Sequence, residues 1–331
     1  MRPGKISESV LKRSILKQIK TKREEIIVGA GVGTDCSFFT LKEKEGCLFS
    51  TTAIVIDRLE ELRLKIKAAV NNVAAAGGEP IGILSSLILP DKILEAKLQA
   101  YTGEIERICK EMNLQAAGGN TMISPAVKLP ILNVSVFGKK EAYLHKKFNQ
   151  YEGGEEIILT KWIGLAGTSL LAEREEEKLK GRLPAYLLEA AKAMKEQVLV
   201  LPESQIAKRC EVIGMHDVSR GGIFAALWEL VEGKDVGLEV DLRKIPIRQE
   251  TIEICELLEK NPYELYGAGA LLIVTKRASF LLSELEKAGI SASTIGHITK
   301  DCAKVLLNGE EKRFLERPRA EALEENKEIR K

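Results

Sequence analysis

The chain lacks an excess of charge of either sign. Fifty basic and 48 acidic residues leave a formal net charge of +2 over 331 residues. The two signs are mixed along the chain, so no bulk field draws in nucleic acid or a membrane surface. Long apolar runs are also missing. AGALLIVT, Ala268 to Thr275, is far too short to span a bilayer and suits a buried strand. The opening MRPGKISESVLKRSILKQ has no apolar core followed by small cleavage-site residues, so no signal peptide is expected. The six cysteines (Cys36, Cys47, Cys109, Cys210, Cys255 and Cys302) include no CxxC pair, which points to reduced thiols and a cytoplasmic location. His145, His216 and His297 lack metal-ligand spacing, so a structural zinc has no support. Aromatics are scarce at 5%; with abundant Glu and Lys, that composition suits a thermophile.

What is present is a hydrophobic content of 45% in a chain long enough for two cores. Two glycine-bearing stretches organise the first half. VNNVAAAGGEP, Val70 to Pro80, reads as the end of an alanine-rich helix. Val70, Val73 and Ala74 recur at helical spacing, Asn71 and Asn72 share the other side, and Gly77, Gly78 and Pro80 stop it. AAGGNTMISP, Ala116 to Pro125, reads as a glycine turn closed by Asn120 and Thr121, where backbone amides can approach a phosphate.

In order, the spacing predicts an amphipathic helix over residues 5–24, then a glycine loop (Gly29, Gly31, Gly33) delivering Asp35 to a strand CSFFTL. That glycine pattern precedes a strand rather than a helix, so it is not a dinucleotide fingerprint. Residues 46–56 read as the hairpin partner of CSFFTL after the polar turn KEKEG. A helix at 59–77, a strand at 81–89, a helix at 92–112 and a strand at 129–138 complete a first domain over residues 1–144. HKKFNQYEGG, His145 to Gly154, reads as a linker. A second domain over 153–310 follows, with strands at 156–160, 238–241, 270–275, 293–298 and 303–307 and helices between them; a charged tail runs over 311–331. Strands and helices are interleaved, so the fold class is α+β or α/β.

Several residues could carry chemistry. A triphosphate needs backbone amides or cations, plus Mg²⁺ held by carboxylates. Asp35 is the one carboxylate beside a glycine turn in the first domain, and reads either as a turn residue or as a ligand. Asn71, Asn72 and Asn120 offer only neutral oxygens. Lys5 is either a surface charge or a phosphate contact. GMHDVSRGG, Gly214 to Gly222, is expected as a tight polar turn before a helix: Asp217 or Ser219 caps it, or His216 is a proton carrier or phosphate contact. Cys36 sits beside Asp35 rather than a basic neighbour, so it is not taken as a nucleophile.

GKI at 4–6, GVGTDCSFF at 31–39, VNNVAAAGGEP at 70–80, GGNT at 118–121, MHDVSRGGI at 215–223 and GAGALLIV at 267–274 together resemble the aminoimidazole ribonucleotide (AIR) synthase superfamily. The likeness runs from residue 4 to about 308 and points to the hydrogenase-maturation dehydratase branch; selenophosphate synthetase and thiamine-monophosphate kinase are other members. The resemblance implies an N-terminal domain that pairs with its twin in a dimeric β-barrel, a C-terminal α/β domain, and ATP with Mg²⁺ in the cleft. It further implies a nucleotide site of Lys5, Asp35, Asn71, Asn72, Gly118, Gly119, Asn120 and Thr121, faced by His216 and Asp217, and a maturation partner protein. The chain departs from the family at the metal. Asn72, Asn120 and Ala53 stand where carboxylates are usual, leaving Asp35 as the Mg²⁺ candidate, with Asp217 or Glu79 as substitutes. Pro318 and Arg319 are present, but no cysteine follows them to carry a substrate. The expectation is a nucleotide-sized site with weakened or lost magnesium-dependent phosphoryl transfer. The rival readings are an active ATP-dependent enzyme with other ligands, and a non-catalytic dimeric scaffold.

Overall fold

The computed structural model describes residues 1–142 and 148–318. Within it the chain divides into two compact units: Met1–Val73 with Gly78–Lys146, and Ala74–Gly77 with Lys147–Lys331. Part of the sequence-read linker (145–147) and most of the tail (319–331) lie outside the described residues.

The first unit is a five-stranded sheet in the order β1-β6-β5-β7-β4. Its strands are β1 (Gly4–Lys5), β4 (Glu45–Val55), β5 (Glu79–Leu89), β6 (Gln115–Ile123) and β7 (Ile131–Glu141). β5 and β6 run parallel; the other pairs are antiparallel. Helices α2 (Leu59–Ala75) and α3 (Glu95–Glu111) line one face, over Ile54, Leu87, Leu132, Val134 and Val136. The alanine-rich end of α2 stops as its glycines predict. Gly77 takes φ +76°, its amide reaches Ala74 O at 2.8 Å, and Gly78 N reaches Val73 O at 2.9 Å, a Schellman closure.

Four expectations are corrected in these elements. The first helix does not run over 5–24: it is α1 (Glu8–Val10), continued as a π-helical stretch Leu11–Leu16. Lys5 is taken into β1, and the Glu106 carboxylate draws the chain away beyond the helix by accepting from Lys20 N, Thr21 N and Thr21 Oγ1 at 2.9, 2.6 and 2.7 Å. Residues 45–55 do not pair with CSFFTL. They form an eleven-residue ladder with β7, while β3 (Phe38–Phe39) pairs with β2 (Ile26–Val28). GGNT is not a turn but the middle of β6. Finally, Asn71 and Asn72 do not share a side: Asn71 is fully buried and Asn72 is exposed.

Charge ties the start of the unit to its sheet. Arg23 bonds Glu25 at 2.7 Å and Glu79 at 2.8 Å, and Lys139 Nζ lies 2.8 Å from Glu25. The Arg23 guanidinium, helped by Lys139, lowers the Glu25 carboxyl from 4.5 to about 2. A depressed folded-state value stabilises above the unfolded one, so this contribution is present above about pH 4.5 and lost as pH falls towards about 2. Glu25→Gln is expected to lower the melting temperature at neutral pH and to flatten its fall across that acid window.

The second unit is a seven-stranded sheet, β14-β13-β10-β12-β8-β11-β9. Its strands are β8 (Glu156–Thr160), β9 (Gly214–Val218), β10 (Gly237–Asp241), β11 (Ala270–Thr275), β12 (Ala292–Thr299), β13 (Lys304–Asn308) and β14 (Glu311–Phe314). Every residue of β11 is buried. Leu272 and Val274 pack with Leu227 and Leu230 of one helix (Gly222–Val231) on one face. Leu271 and Ile273 pack with Ile206, Leu281 and Leu285 on the other. Apolar cover on both faces explains the uninterrupted run GAGALLIV. The described part of the expected linker is strapped down: Asn149 N reaches Ile213 O, Gly154 N reaches Ile298 O, and the buried Glu155 carboxylate accepts from Glu152 N and Gly153 N. The first residues of the expected tail form β14 against β13.

Candidate functional site

Side chains alternate across a strand, so registered residues of neighbouring strands share a face. Ser86 of β5 opposes Asn120 of β6 and also Asn133 of β7, and Asn133 opposes Ala53 of β4. One row therefore crosses four strands as Asn120–Ser86–Asn133–Ala53, on the face away from α2 and α3. The next row on that face carries Gly118, Leu84, Ser135 and Thr51, where Thr51 Oγ1 and Ser135 Oγ lie 2.7 Å apart. Lys5 opposes Met122, two residues from Asn120, and so joins the same face.

The glycine loop lies over this face. Gly33, at φ +73°, turns it, and Ser37 Oγ then donates to Ala117 O at 2.8 Å. A Cβ on Gly118 would stand 2.7 Å from Ser37 Oγ, so a side chain there would displace this hydroxyl where the loop crosses β6. Asp35 lies two residues before Ser37 in this loop and is exposed. Asp35, Lys5, Asn120, Ser86 and Asn133 have no side-chain hydrogen bond or ion pair among the described residues. Met122, Ile88, Ile131 and Val55 form an apolar row beside them.

Other candidates are placed elsewhere. Asn72 Nδ2 donates to Ser50 Oγ at 3.0 Å; Ser50 points to the helix side of β4, so Asn72 is separated by the sheet from Asn120 and Ala53. Thr121 points to the helix side too. Gly119 serves packing, since a Cβ there would meet Ser85 O at 1.9 Å. Glu79 is held by Arg23 and Lys139 and is not a free metal ligand. Ser86 and Asn133 were missed in the sequence. Their signal is polar residues within otherwise apolar strand segments: adjacent serines in LSSLIL, and Asn133 and Ser135 at alternate positions of ILNVSVF.

In the second unit, GMHDV is strand β9 rather than a tight turn, paired with β11 from Val218↔Ala270 to Gly214↔Val274. Asp217 and Ser219 therefore do not cap the helix that follows, whose cap is Gly221 at φ +76°. His216, half-buried, places Nε2 3.0 Å from Glu229 Oε2. Asp217 alternates to the other face, buried, where its charge helps hold up the Lys161 ammonium that burial pushes down. Lys161 Nζ donates to Gln197 O (2.8 Å) and Leu199 O (2.9 Å) and pairs with Glu203 Oε1 at 2.5 Å.

Magnesium does not fit the donors on the first sheet. Among the described residues no three His, Cys, Asp or Glu side chains form a metal-sized group, and the open face offers one carboxylate among neutral oxygens. A hard dication takes six or more oxygens, several of them charged. A phosphate chain does fit: the row supplies two carboxamides and a hydroxyl beside the Lys5 ammonium.

These elements define a two-unit protein of mixed α/β fold with an open, polar-striped sheet in its first half. The description AIR synthase related protein, N-terminal domain, matches residues 33–139, and its C-terminal counterpart matches residues 152–307. The chain belongs to the AIR synthase-related family, bearing out the resemblance read from its motifs. It is similar to a Methanocaldococcus jannaschii protein described as a hydrogenase expression/formation protein, at 25% identity over 317 residues, covering 92% of this chain and 91% of that one. Its fold matches E. coli HypE, a hydrogenase maturation protein, with a TM-score of 0.79 at 21% identity over 95% of this chain and 98% of the other. It also matches a HypE solved in complex with ATP, with a TM-score of 0.75 at 17% identity over 96% and 95%. No helix among the described residues is long and apolar enough to cross a membrane.

Proposed function

We propose that this is a cytoplasmic, homodimeric protein of the hydrogenase-maturation type that binds ATP or a related nucleotide, with magnesium-dependent phosphoryl transfer weakened or lost. A maturation partner protein belongs to the same reading. The observation that carries it is the helix-free face of the first sheet, where Lys5, Asn120, Ser86 and Asn133 stand open under the Asp35 loop with one carboxylate among them. The ATP held by a HypE of the same fold supports a nucleotide as ligand. Pairing with a second copy is supported by Phe49, 63% exposed on the edge strand β4.

Calorimetric titration of the full chain with ATP, with and without Mg²⁺, tests the reading together with an assay for ADP. Binding without ADP release is expected; no heat with either form of ATP would end the nucleotide reading, and steady ADP release would end the loss of turnover. Asn120→Asp combined with Ala53→Asp puts two carboxylates on the open face with two strands between them, and should raise magnesium-linked binding by about tenfold or more. Asn72→Asp, on the other side of the sheet, should add nothing to that pair.

A further inference from the structure

The open face has a particular charge balance. Across the polar row Asn120–Ser86–Asn133 and the apolar row beside it, the only charged side chain contributed by the described strands is Lys5, which opposes Met122, and the loop above carries Asp35. Formal charges cancel. What remains is a band of hydrogen-bonding groups without partners among the described residues, flanked by the apolar row of Met122, Ile88 and Ile131. Solvated polar residues on a strand face are common, but three in register across three strands, beside an ammonium and bordered by apolar side chains, have the make-up of a ligand site. Two carboxamides, a hydroxyl and an ammonium recognise oxyanions by donating to them. The same groups handle a hydrated dication poorly, because Lys5 repels it and neutral oxygens replace little of its water shell.

We propose that the row Asn120–Ser86–Asn133, with Lys5, contacts the phosphate chain of its ligand directly and selects the magnesium-free polyphosphate over its magnesium complex. This rests on reading the face as the nucleotide site, and it adds the ionic form of the ligand and two contact residues, Ser86 and Asn133. Direct donation to phosphate oxygens is strongest when those oxygens carry their full charge, so a bound dication competes with the row for the same atoms.

The test is titration of the full chain with ATP and, separately, with inorganic pyrophosphate, each in EDTA and in excess magnesium chloride. Both ligands are expected to bind in EDTA, and magnesium should weaken each at least about threefold, since Mg²⁺ removes charge that the row would otherwise meet. Asn133→Asp sets a carboxylate against the phosphates and should weaken binding in EDTA about tenfold or more. Ser86→Ala should weaken it by a smaller factor, and the melting temperatures of both variants should stay at the wild-type value because these positions are not core. Magnesium strengthening ATP binding would overturn the inference while leaving the nucleotide reading intact. Pyrophosphate binding without ATP binding would do the reverse. If neither ligand binds, both fall; if Asn133→Asp binds both ligands as the wild type does, the row is not the contact and the inference falls.

Discussion

Gly119→Ala is expected to cost the first unit at least about 3 kcal/mol of stability, despite adding a single methyl group. An ideal Cβ at this position falls 1.9 Å from Ser85 O, 2.7 Å from Ser85 C and 3.0 Å from Ser85 N. These are backbone atoms of the neighbouring strand, so no rotamer change relieves the clash; β5 and β6 must separate. The two are parallel neighbours at the centre of the sheet, and their register already shifts between Ile83 and Leu84. Gly119 also has φ +153°, which an alanine adopts only with strain. Gly103→Ala is the control. It lies inside α3, nothing stands within 4 Å of its would-be Cβ, and there alanine should stabilise by about 0.5–1 kcal/mol. Thermal unfolding of the two variants should therefore move in opposite directions. An unchanged melting temperature for Gly119→Ala would mean that β5 and β6 do not approach this closely in solution.

Gly119 also marks where the sequence misled. GGNT reads as a turn because paired glycines followed by asparagine usually turn the chain. Here the glycines serve close approach between strands, a reason that becomes visible only with the partner strand in place. GMHDV misreads the same way: glycine, histidine and aspartate look like a turn until the apolar strand at 270–275 is laid beside them. Local signals were legible where they were enough by themselves. The end of α2 followed from Gly77 and Gly78, and β11 followed from an apolar run too short for a membrane. The open row was half legible. Asn120 stood out beside glycines, whereas Ser86 and Asn133 look like ordinary polar residues on a half-solvated strand. Only a register joining residues 86, 120 and 133 makes them one feature, and register is a long-range property. The same holds for the separation of Asn72 from Asn120, which depends on which way Ser50 faces in β4.

The second large effect is expected at Lys161. Its ammonium is buried, donates to Gln197 O and Leu199 O, and pairs with Glu203, a carboxylate 2% exposed. Lys161→Met keeps the aliphatic bulk but removes the cation. Glu203 then loses its counter-ion, the buried Asp217 carboxylate loses a nearby cation, and two carbonyls lose a donor. Breaking a buried pair from one side typically costs about 3–5 kcal/mol, whereas replacing both members with apolar residues is often close to neutral. Lys161→Met alone should therefore lower the melting temperature sharply, and adding Glu203→Leu should recover much of the loss. Recovery should be incomplete, because Asp217 and the carbonyls of Gln197 and Leu199 still face the site. Denaturant unfolding of the single and double variants gives the coupling, expected to exceed about 1 kcal/mol for groups in direct contact. Additive losses would show that Lys161 acts on the 197–199 segment through its two carbonyl bonds alone, with Glu203 contributing nothing to the pairing.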